Sequence, residues 1–158
     1  MRSVLILVVV MMAAWLGGCS SFDKDFAQVQ AQPVGAPGSL AGAWSGEWQS
    51  DKGHGKGALK AVITPAEAPS TVTGSTPQKF DARFYATWAE VLNGEYTVPM
   101  TGVPGPEGMQ FSGSKDLGPM YGGLYHYRGY IKGDTFYSTY KSSGDSGTFT
   151  MKRVSQRK

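Results

Sequence analysis

The chain has 158 residues, enough for one domain and too few for two of ordinary size. Its 15 basic and 12 acidic residues give a net charge of only +3, and Arg2 belongs to the first, apolar segment. This small excess argues against the clustered basic face of a nucleic-acid-binding domain. Lys152, Arg153, Arg157 and Lys158 do cluster, but they are best explained as a solvated tail. We expect no nucleic-acid partner.

The first segment has the composition of a secretion signal. Arg2 is basic, and the stretch from Val4 to Leu16 is an almost continuous apolar run of 13 residues. This run is too short to cross a bilayer core, which needs roughly 20 residues. Its length is typical of the apolar region of a signal peptide. Residues 1–18 are therefore predicted to be a signal peptide.

A short motif ends this segment: Leu16, Gly17, Gly18 and Cys19. It resembles the lipobox of bacterial lipoproteins, in which the cysteine is lipidated and becomes the mature N-terminus. The resemblance implies that Cys19 anchors the chain to a membrane of the bacterial cell envelope, and each buried acyl methylene would contribute about 0.8 kcal/mol. Ser20 stands where lipoproteins retained at the inner membrane usually carry Asp, so the resemblance favours the outer membrane.

Residues 19–41 are predicted to be the lipidated N-terminus and a flexible tether. Ser, Gln, Ala, Pro and Gly dominate this stretch, and no useful periodicity is evident. A coil of about 20 such residues spans on the order of 25 Å. The folded domain is therefore expected to stand off the membrane, with no helix after the signal.

Residues 42–155 show the pattern of short strands and tight turns. Trp44 and Trp48 alternate with polar residues, and Asn93-Gly94 is a strong hairpin signal because both residues tolerate positive φ. Eight strands are expected, at about 44–49, 58–64, 80–88, 95–101, 109–114, 124–132, 135–141 and 147–154. We predict an all-β domain, a single antiparallel eight-stranded up-and-down barrel without exposed strand edges. A two-sheet β-sandwich is the alternative that periodicity does not separate.

The two ends of this domain suggest how a barrel would close. Gly42-Ala43-Trp44 resembles the G-x-W motif of the lipocalin and avidin group of small barrels. In that group the tryptophan closes the barrel floor beneath a basic side chain of the last strand. The resemblance implies this role for Arg153, whose planar guanidinium can stack on Trp44. The chain departs from lipocalins because nothing after Val154 could form their C-terminal helix.

No catalytic constellation is evident in the sequence. His54 and His126 are the two histidines, and neither has a second His or Cys at ligand spacing, so we expect no metal and no cofactor. The glycine-rich turn around His54 lacks the spacing of a phosphate-binding loop. No G-x-S-x-G elbow is present either. We therefore expect a protein that is not an enzyme, with a hydrolase held in reserve.

Inward-facing aromatic and methionine side chains suggest a binding cavity inside the barrel. The predicted lining consists of Trp48, Phe84, Trp88, Met100 and Phe111. An eight-stranded barrel is just wide enough either to be filled by side chains or to hold one small ligand. The first functional hypothesis is therefore an envelope lipoprotein that binds a small apolar or amphipathic molecule, and a filled interior is the competing possibility.

A tyrosine band suggests a second hypothesis. Its members are Tyr125, Tyr127, Tyr130, Tyr137 and Tyr140. Tyrosine combines a flat apolar face with a hydroxyl, which suits protein or glycan partners, although tyrosine also favours half-exposed strand positions. Strand alternation allows only one subset of the band to line a cavity. The alternative function is a structural or assembly lipoprotein that binds an envelope protein or glycan through this tyrosine-rich face.

Overall fold

The computed structural model describes residues 20–33, 38–67, 76–88 and 92–155. The predicted signal peptide and Cys19 lie outside the described residues, and the lipidation of Cys19 therefore stays a prediction. Among the described residues, no helix is long and apolar enough to cross a membrane.

Eight antiparallel strands form one closed barrel in chain order, and the last strand pairs with the first. The strands are β1 Gly42–Ser50, β2 Lys56–Pro65, β3 Gln78–Trp88, β4 Leu92–Gly105, β5 Gly108–Asp116, β6 Leu124–Lys132, β7 Thr135–Lys141 and β8 Ser146–Val154. The predicted up-and-down barrel is confirmed. The two-sheet sandwich is excluded because the pairing runs without interruption around the whole sheet.

The hairpin between β3 and β4 turns earlier than predicted. Thr87 pairs with Asn93 and Ala86 pairs with Gly94, so Asn93-Gly94 belongs to β4. The turn itself falls on residues outside the described part of the chain. Gly94 does not have a positive φ, and a Cβ built on it would lie 2.8 Å from the Trp88 ring. The predicted Asn93-Gly94 turn is wrong because this glycine makes room for an indole.

A helix, α1 (Ser21–Ala31), precedes the barrel. The hydroxyl oxygen of Ser20 accepts the N–H of Asp23 at 3.2 Å, which satisfies one of the free donors at the helix N-terminus. Phe22 and Phe26 lie one turn apart on the same face of this helix, with ring centroids 5.9 Å apart. The expectation of an unstructured tether is wrong for this stretch, and so is the expectation of no helix after the signal.

Helix α1 packs on the outer face of the barrel, against β1 and β2. Phe22 is fully buried, and its ring lies 5.3 Å from that of Tyr85. The Arg83 guanidinium lies 5.6 Å from the Phe22 ring. It also donates to the hydroxyl of Ser21 at 2.6 Å and to the carboxylate of Asp25. Apolar, cation–π and ionic contacts therefore hold this segment on the barrel.

The interior of the barrel is filled at one end and open at the other. At the filled end the Phe136 ring lies 4.8 Å from that of Phe111 and 5.8 Å from that of Trp44. Gly129 faces the same space, where a Cβ would lie 2.6 Å from the Phe111 ring. Large side chains therefore pack against the backbone of a glycine at this end. Phe84 is fully buried and lies between the two ends.

Candidate ligand-binding cavity

The filled end is closed by a pair of side chains from the first and last strands. The Arg153 guanidinium lies 4.2 Å from the Trp44 ring centroid. It donates to the carbonyls of Ser39 and Ala41 at 2.6 Å and 2.7 Å. The indole N–H of Trp44 donates to the Leu40 carbonyl at 3.0 Å. The segment that leads into β1 is thus bound across this end of the barrel.

Gly42 completes the closed end because a side chain would not fit there. Its φ is +140°, and a Cβ would lie 2.5 Å from an Arg153 guanidinium nitrogen. Burial lowers the pKa of Arg153, and the ion pair with Asp134 opposes that shift. The structure therefore brings the three predicted closure residues, Gly42, Trp44 and Arg153, together at one end of the barrel.

The opposite end of the barrel holds a cavity of about 640 Å³ that opens to solvent. This volume is within the range of small-molecule sites, about 300–1,000 Å³. The cavity wall is largely aromatic and includes Trp48, Trp88, Tyr96, Tyr125, Tyr127, Tyr140 and Phe149. Side chains therefore leave space at this end of the barrel, in contrast to the packed rings at the other end.

Strand alternation explains why the two indoles meet in this wall. Trp48 lies on the same face of β1 as Trp44 but four residues nearer the open end. Its ring centroid lies 6.1 Å from that of Trp88. The indole N–H of Trp48 donates to the Thr87 carbonyl at 2.9 Å. This hydrogen bond fixes the orientation of the Trp48 ring and leaves its face for other contacts.

The five predicted lining residues divide between the two halves of the interior. Trp48 and Trp88 line the cavity, whereas Met100 and Phe111 are buried in the filled end. Phe84 lies beneath the cavity, stacked 5.5 Å from the Tyr96 ring. Alternation predicts which face of a strand a residue occupies, but height along the barrel depends on the register between strands. The register between strands therefore places Trp48 and Trp88 at the cavity and Met100 and Phe111 at the filled end.

The tyrosines of the predicted band do not form one surface. Tyr125, Tyr127 and Tyr140 line the cavity, and Tyr127 is only 1% exposed. Tyr130 and Tyr137 lie on the outer face, with ring centroids 5.4 Å apart. The band is therefore divided between the two sides of the sheet, as strand alternation predicted, because neighbouring positions on β6 and β7 point to opposite sides.

The hydroxyls in the cavity wall are held in their neutral form. Burial raises the pKa of Tyr96 well above its usual value, and the neighbouring Tyr127 hydroxyl adds to this shift. Burial likewise raises the pKa of Tyr127. Burial raises the pKa of Tyr140, and the nearby Asp145 carboxylate raises it further. The tyrosines therefore offer uncharged rings and hydroxyl dipoles to a ligand.

Asp145, between β7 and β8, brings a carboxylate to this wall. One of its oxygens accepts from the Ser50 hydroxyl at 2.7 Å, and the other accepts from the Tyr140 hydroxyl at 3.1 Å. Burial alone would raise the pKa of Asp145, but these hydrogen bonds and one from the Ser146 N–H outweigh it, and the pKa is lowered. Sequence reasoning missed this residue because aspartate is ordinary in turns.

Ser50, His54 and Asp145 converge here, but they are not arranged as a nucleophilic triad. The Nδ1 atom of His54 lies 3.2 Å from the same carboxylate oxygen that Ser50 contacts. The Ser50 hydroxyl donates to that carboxylate and accepts the N–H groups of Lys52 and His54 at 3.1 Å and 3.2 Å. A nucleophilic serine would instead donate to the histidine. The cluster holds Asp145 and the β1–β2 turn in place.

The rim of the cavity exposes large apolar side chains. Met120, in the short 3₁₀ helix Pro119–Tyr121, is 90% exposed, and Leu92, Tyr121 and Leu124 are at least half exposed. Leu92 and Tyr121 also line the cavity. A ligand entering the barrel would contact apolar surface before it reached the aromatic wall.

Metal ligation and resemblance to known proteins add no further assignment. Among the described residues, no group of three or more His, Cys, Asp and Glu side chains is placed to hold a metal ion. No protein-family model, curated protein or solved structure matches the chain significantly. The geometry and chemistry of the cavity are therefore the basis for assigning a function.

Proposed function

We propose that this chain is a membrane-anchored envelope lipoprotein whose non-catalytic barrel binds a small apolar or amphipathic ligand. The cavity of about 640 Å³ with its aromatic wall is the observation that supports the ligand. Apolar contact would provide the affinity, at roughly 25 cal/mol per Å² of apolar surface removed from water. The few polar groups in the wall, such as Tyr140 and Asp145, would orient the ligand.

The two ends of the barrel support a single route for the ligand. Arg153 and Trp44 close one end, while Leu92 and Tyr121 surround the other. An amphipathic molecule would place its apolar part against Trp48 and the rings below it. Its polar part would stay near the mouth, where water and the Asp145 carboxylate are accessible.

The proposed anchor at Cys19 would hold the barrel close to the membrane. Ser20, the next residue, already caps helix α1, and that helix packs on the barrel. Consecutive Cα atoms are about 3.8 Å apart. A lipid on Cys19 would therefore be separated from a packed helix by a single residue, in place of a long tether. Ser20 supports the outer membrane as the destination, by resemblance to sorted lipoproteins.

The anchor is tested by mass spectrometry of the mature protein. We expect the first residue to be Cys19 with a covalently bound glyceride and fatty acid, and we expect Cys19→Ser to abolish fatty-acid incorporation. A mature chain that begins at another residue, or that has no fatty acid, would contradict the proposed anchor. The barrel and its cavity would be unaffected by that result.

The ligand is tested by native mass spectrometry of the chain with Cys19→Ser. We expect a non-covalently bound small molecule, or saturable uptake of an added amphiphile. Ala86→Leu should abolish binding because Ala86 lines the cavity. Ala58→Leu is the matched control, since Ala58 is exposed on the outer face of β2. Equal binding by both variants would show that the ligand lies elsewhere.

The alternative proposal is an assembly protein that binds an envelope protein or glycan. Fewer exposed tyrosines are available for this partner than the sequence suggested. Of the tyrosine band, only Tyr130 and Tyr137 lie on the outer face. A Tyr130→Ser and Tyr137→Ser double variant would abolish such an interaction and leave ligand uptake intact. An unchanged interaction with the envelope partner would contradict this alternative.

A further inference from the structure

We propose that the cavity selects cationic amphiphiles, with the ammonium group of the ligand beside the Asp145 carboxylate and against the aromatic rings around it. The inference rests on the proposed ligand-binding function and adds to it the charge of the ligand. It excludes fatty acids and other anionic amphiphiles as preferred ligands.

The charged residues of the cavity wall favour a cationic ligand. Among the described lining residues, two are acidic and none is Lys, Arg or His. The Glu95 carboxylate is bound by the Arg83 guanidinium at 2.5 Å, so a cation already compensates its charge. Asp145 is held by neutral hydroxyls and by one nitrogen of His54, whose side chain is 58% exposed. An anionic ligand would find no cation in this wall.

The Asp145 carboxylate lies beside the aromatic rings of the cavity wall. Its side chain is only 15% exposed, and its second carboxylate oxygen accepts from the Tyr140 hydroxyl. The Tyr140 ring lies 6.0 Å from that of Tyr125 and 5.1 Å from that of Phe149. The carboxylate and these rings therefore form one continuous wall. A cation beside Asp145 would lie next to the Tyr140 side chain, whose hydroxyl contacts the carboxylate, and cation–π attraction acts within about 6 Å of a ring centroid.

The indoles strengthen the same preference. Tryptophan attracts cations more strongly than tyrosine or phenylalanine does, and Trp48 and Trp88 both line the cavity. Their ring planes meet at 54°, so they offer surfaces in two orientations. Because the N–H of Trp48 is bound to the Thr87 carbonyl, its ring surface is what a ligand would contact. This combination of rings and a carboxylate suits an alkylammonium or quaternary ammonium group.

Loss of water from the Asp145 carboxylate on ligand binding also favours a cationic ligand. An apolar ligand that covers the mouth would remove water from the Asp145 carboxylate, and a carboxylate without a compensating charge is costly to desolvate. A positively charged headgroup would compensate that loss, whereas a negatively charged one would add repulsion. We therefore expect the affinity to fall from cationic to neutral to anionic ligands of equal chain length.

Three octyl probes test this order by isothermal titration calorimetry on the chain with Cys19→Ser: octyltrimethylammonium, octanol and octanoate. We expect octyltrimethylammonium to bind at least about tenfold more tightly than octanoate. Asp145→Asn should lower this ratio several-fold, because only the preference of the rings for a cation would then remain. Asp81→Asn is the matched control, because Asp81 is exposed on the outer face of β3.

Each outcome decides between the two proposals. If octanol binds but the three affinities agree within about twofold, cation selection is overturned and the ligand-binding function stands. If none of the three binds, both are overturned. If Asp145→Asn fails to fold, the wild-type ratio of ammonium to carboxylate affinity decides alone, with Tyr140→Phe as a second variant that loses one hydrogen bond to the carboxylate but keeps the ring.

Discussion

The guanidinium of Arg153 lies 4.2 Å from the ring centroid of Trp44, and the two residues are direct cross-strand partners between β8 and β1. The same guanidinium donates to the carbonyls of Ser39 and Ala41. One side chain therefore joins the last strand, the first strand and the segment that leads into the barrel. The contact that covers one end of the barrel therefore joins the same two strands whose pairing closes it.

Arg153→Met should destabilise the protein without affecting its cavity. The substitution removes two hydrogen bonds to backbone carbonyls, the ion pair with Asp134 and a cation–π contact, and we expect a loss of about 3 kcal/mol in the free energy of unfolding. Lys152→Met, at the exposed neighbouring position, should cost far less. Denaturant unfolding measures both variants. A loss below about 1 kcal/mol for Arg153→Met would mean that this contact contributes little.

Gly94→Ala should perturb the cavity more than the fold. A Cβ at Gly94 would displace the movable end of the Trp88 ring, so we expect altered tryptophan fluorescence, weaker ligand binding and a stability loss of about 1 kcal/mol.

Gly133→Ala is the contrasting variant for Gly94→Ala. Its φ is +56° and no atom lies within 4 Å of the added methyl. It should lose about 1–2 kcal/mol through backbone strain alone, with no change in tryptophan fluorescence. A large stability loss without a fluorescence change at Gly94 would support the turn that the sequence suggested there.

The barrel was predictable from the sequence because its causes are local. Alternating apolar residues place strands, and the Gly42-Ala43-Trp44 motif together with Arg153 indicates how the strands close. The failures are also specific. Asn93-Gly94 resembles a turn, but this glycine is needed for ring packing, and a single sequence does not distinguish these two uses.

The candidate site was harder to predict because it depends on long-range register. Phe111 and Trp48 both face inward, yet only Trp48 lines the cavity. Asp145 meets Ser50 across 95 positions of sequence, and no local pattern announces that contact. Helix α1 did leave a signal, a serine cap followed by Phe22 and Phe26 one turn apart, but the surrounding Ala and Gln residues concealed it.

Phe22→Ala tests whether helix α1 is part of the folded domain. Phe22 is fully buried against Tyr85, so its truncation should cost about 3–5 kcal/mol. Phe26→Ala should cost less because Phe26 is only partly buried. Thermal or denaturant unfolding would measure both. If Phe22→Ala matched the wild type, residues 21–31 would behave as the free tether that the composition suggested.

Alkaline conditions should destabilise the fold through the cavity tyrosines. Burial raises the pKa of Tyr96, Tyr127 and Tyr140, so the folded state holds these protons more tightly than the unfolded state does. Their contribution is complete below the ordinary value of 10.0 and is lost as the pH rises through the folded-state pKa values. Tyrosinate absorbance should therefore rise together with unfolding. Tyr140→Phe should show a smaller alkaline loss of stability, and an unchanged loss would contradict the role of Tyr140.

Acidic conditions should also destabilise the fold, because the pKa of Asp145 is shifted downward, not upward as for the tyrosines. Hydrogen bonds from Ser50 and Tyr140 outweigh burial and lower the pKa of Asp145, so the folded state favours the ionised carboxylate. The resulting stability is complete above the ordinary value of 3.8 and is lost as the pH falls through the lowered folded-state pKa. The free energy of unfolding measured against pH should fall less steeply in acid for Asp145→Asn than for the wild type.

Ser50→Ala should lie between them, since it removes the shorter hydrogen bond but keeps the carboxylate. Identical acid slopes for all three proteins would mean that these hydroxyls do not stabilise the carboxylate, and the fixed anion beside the aromatic wall would lose its structural basis.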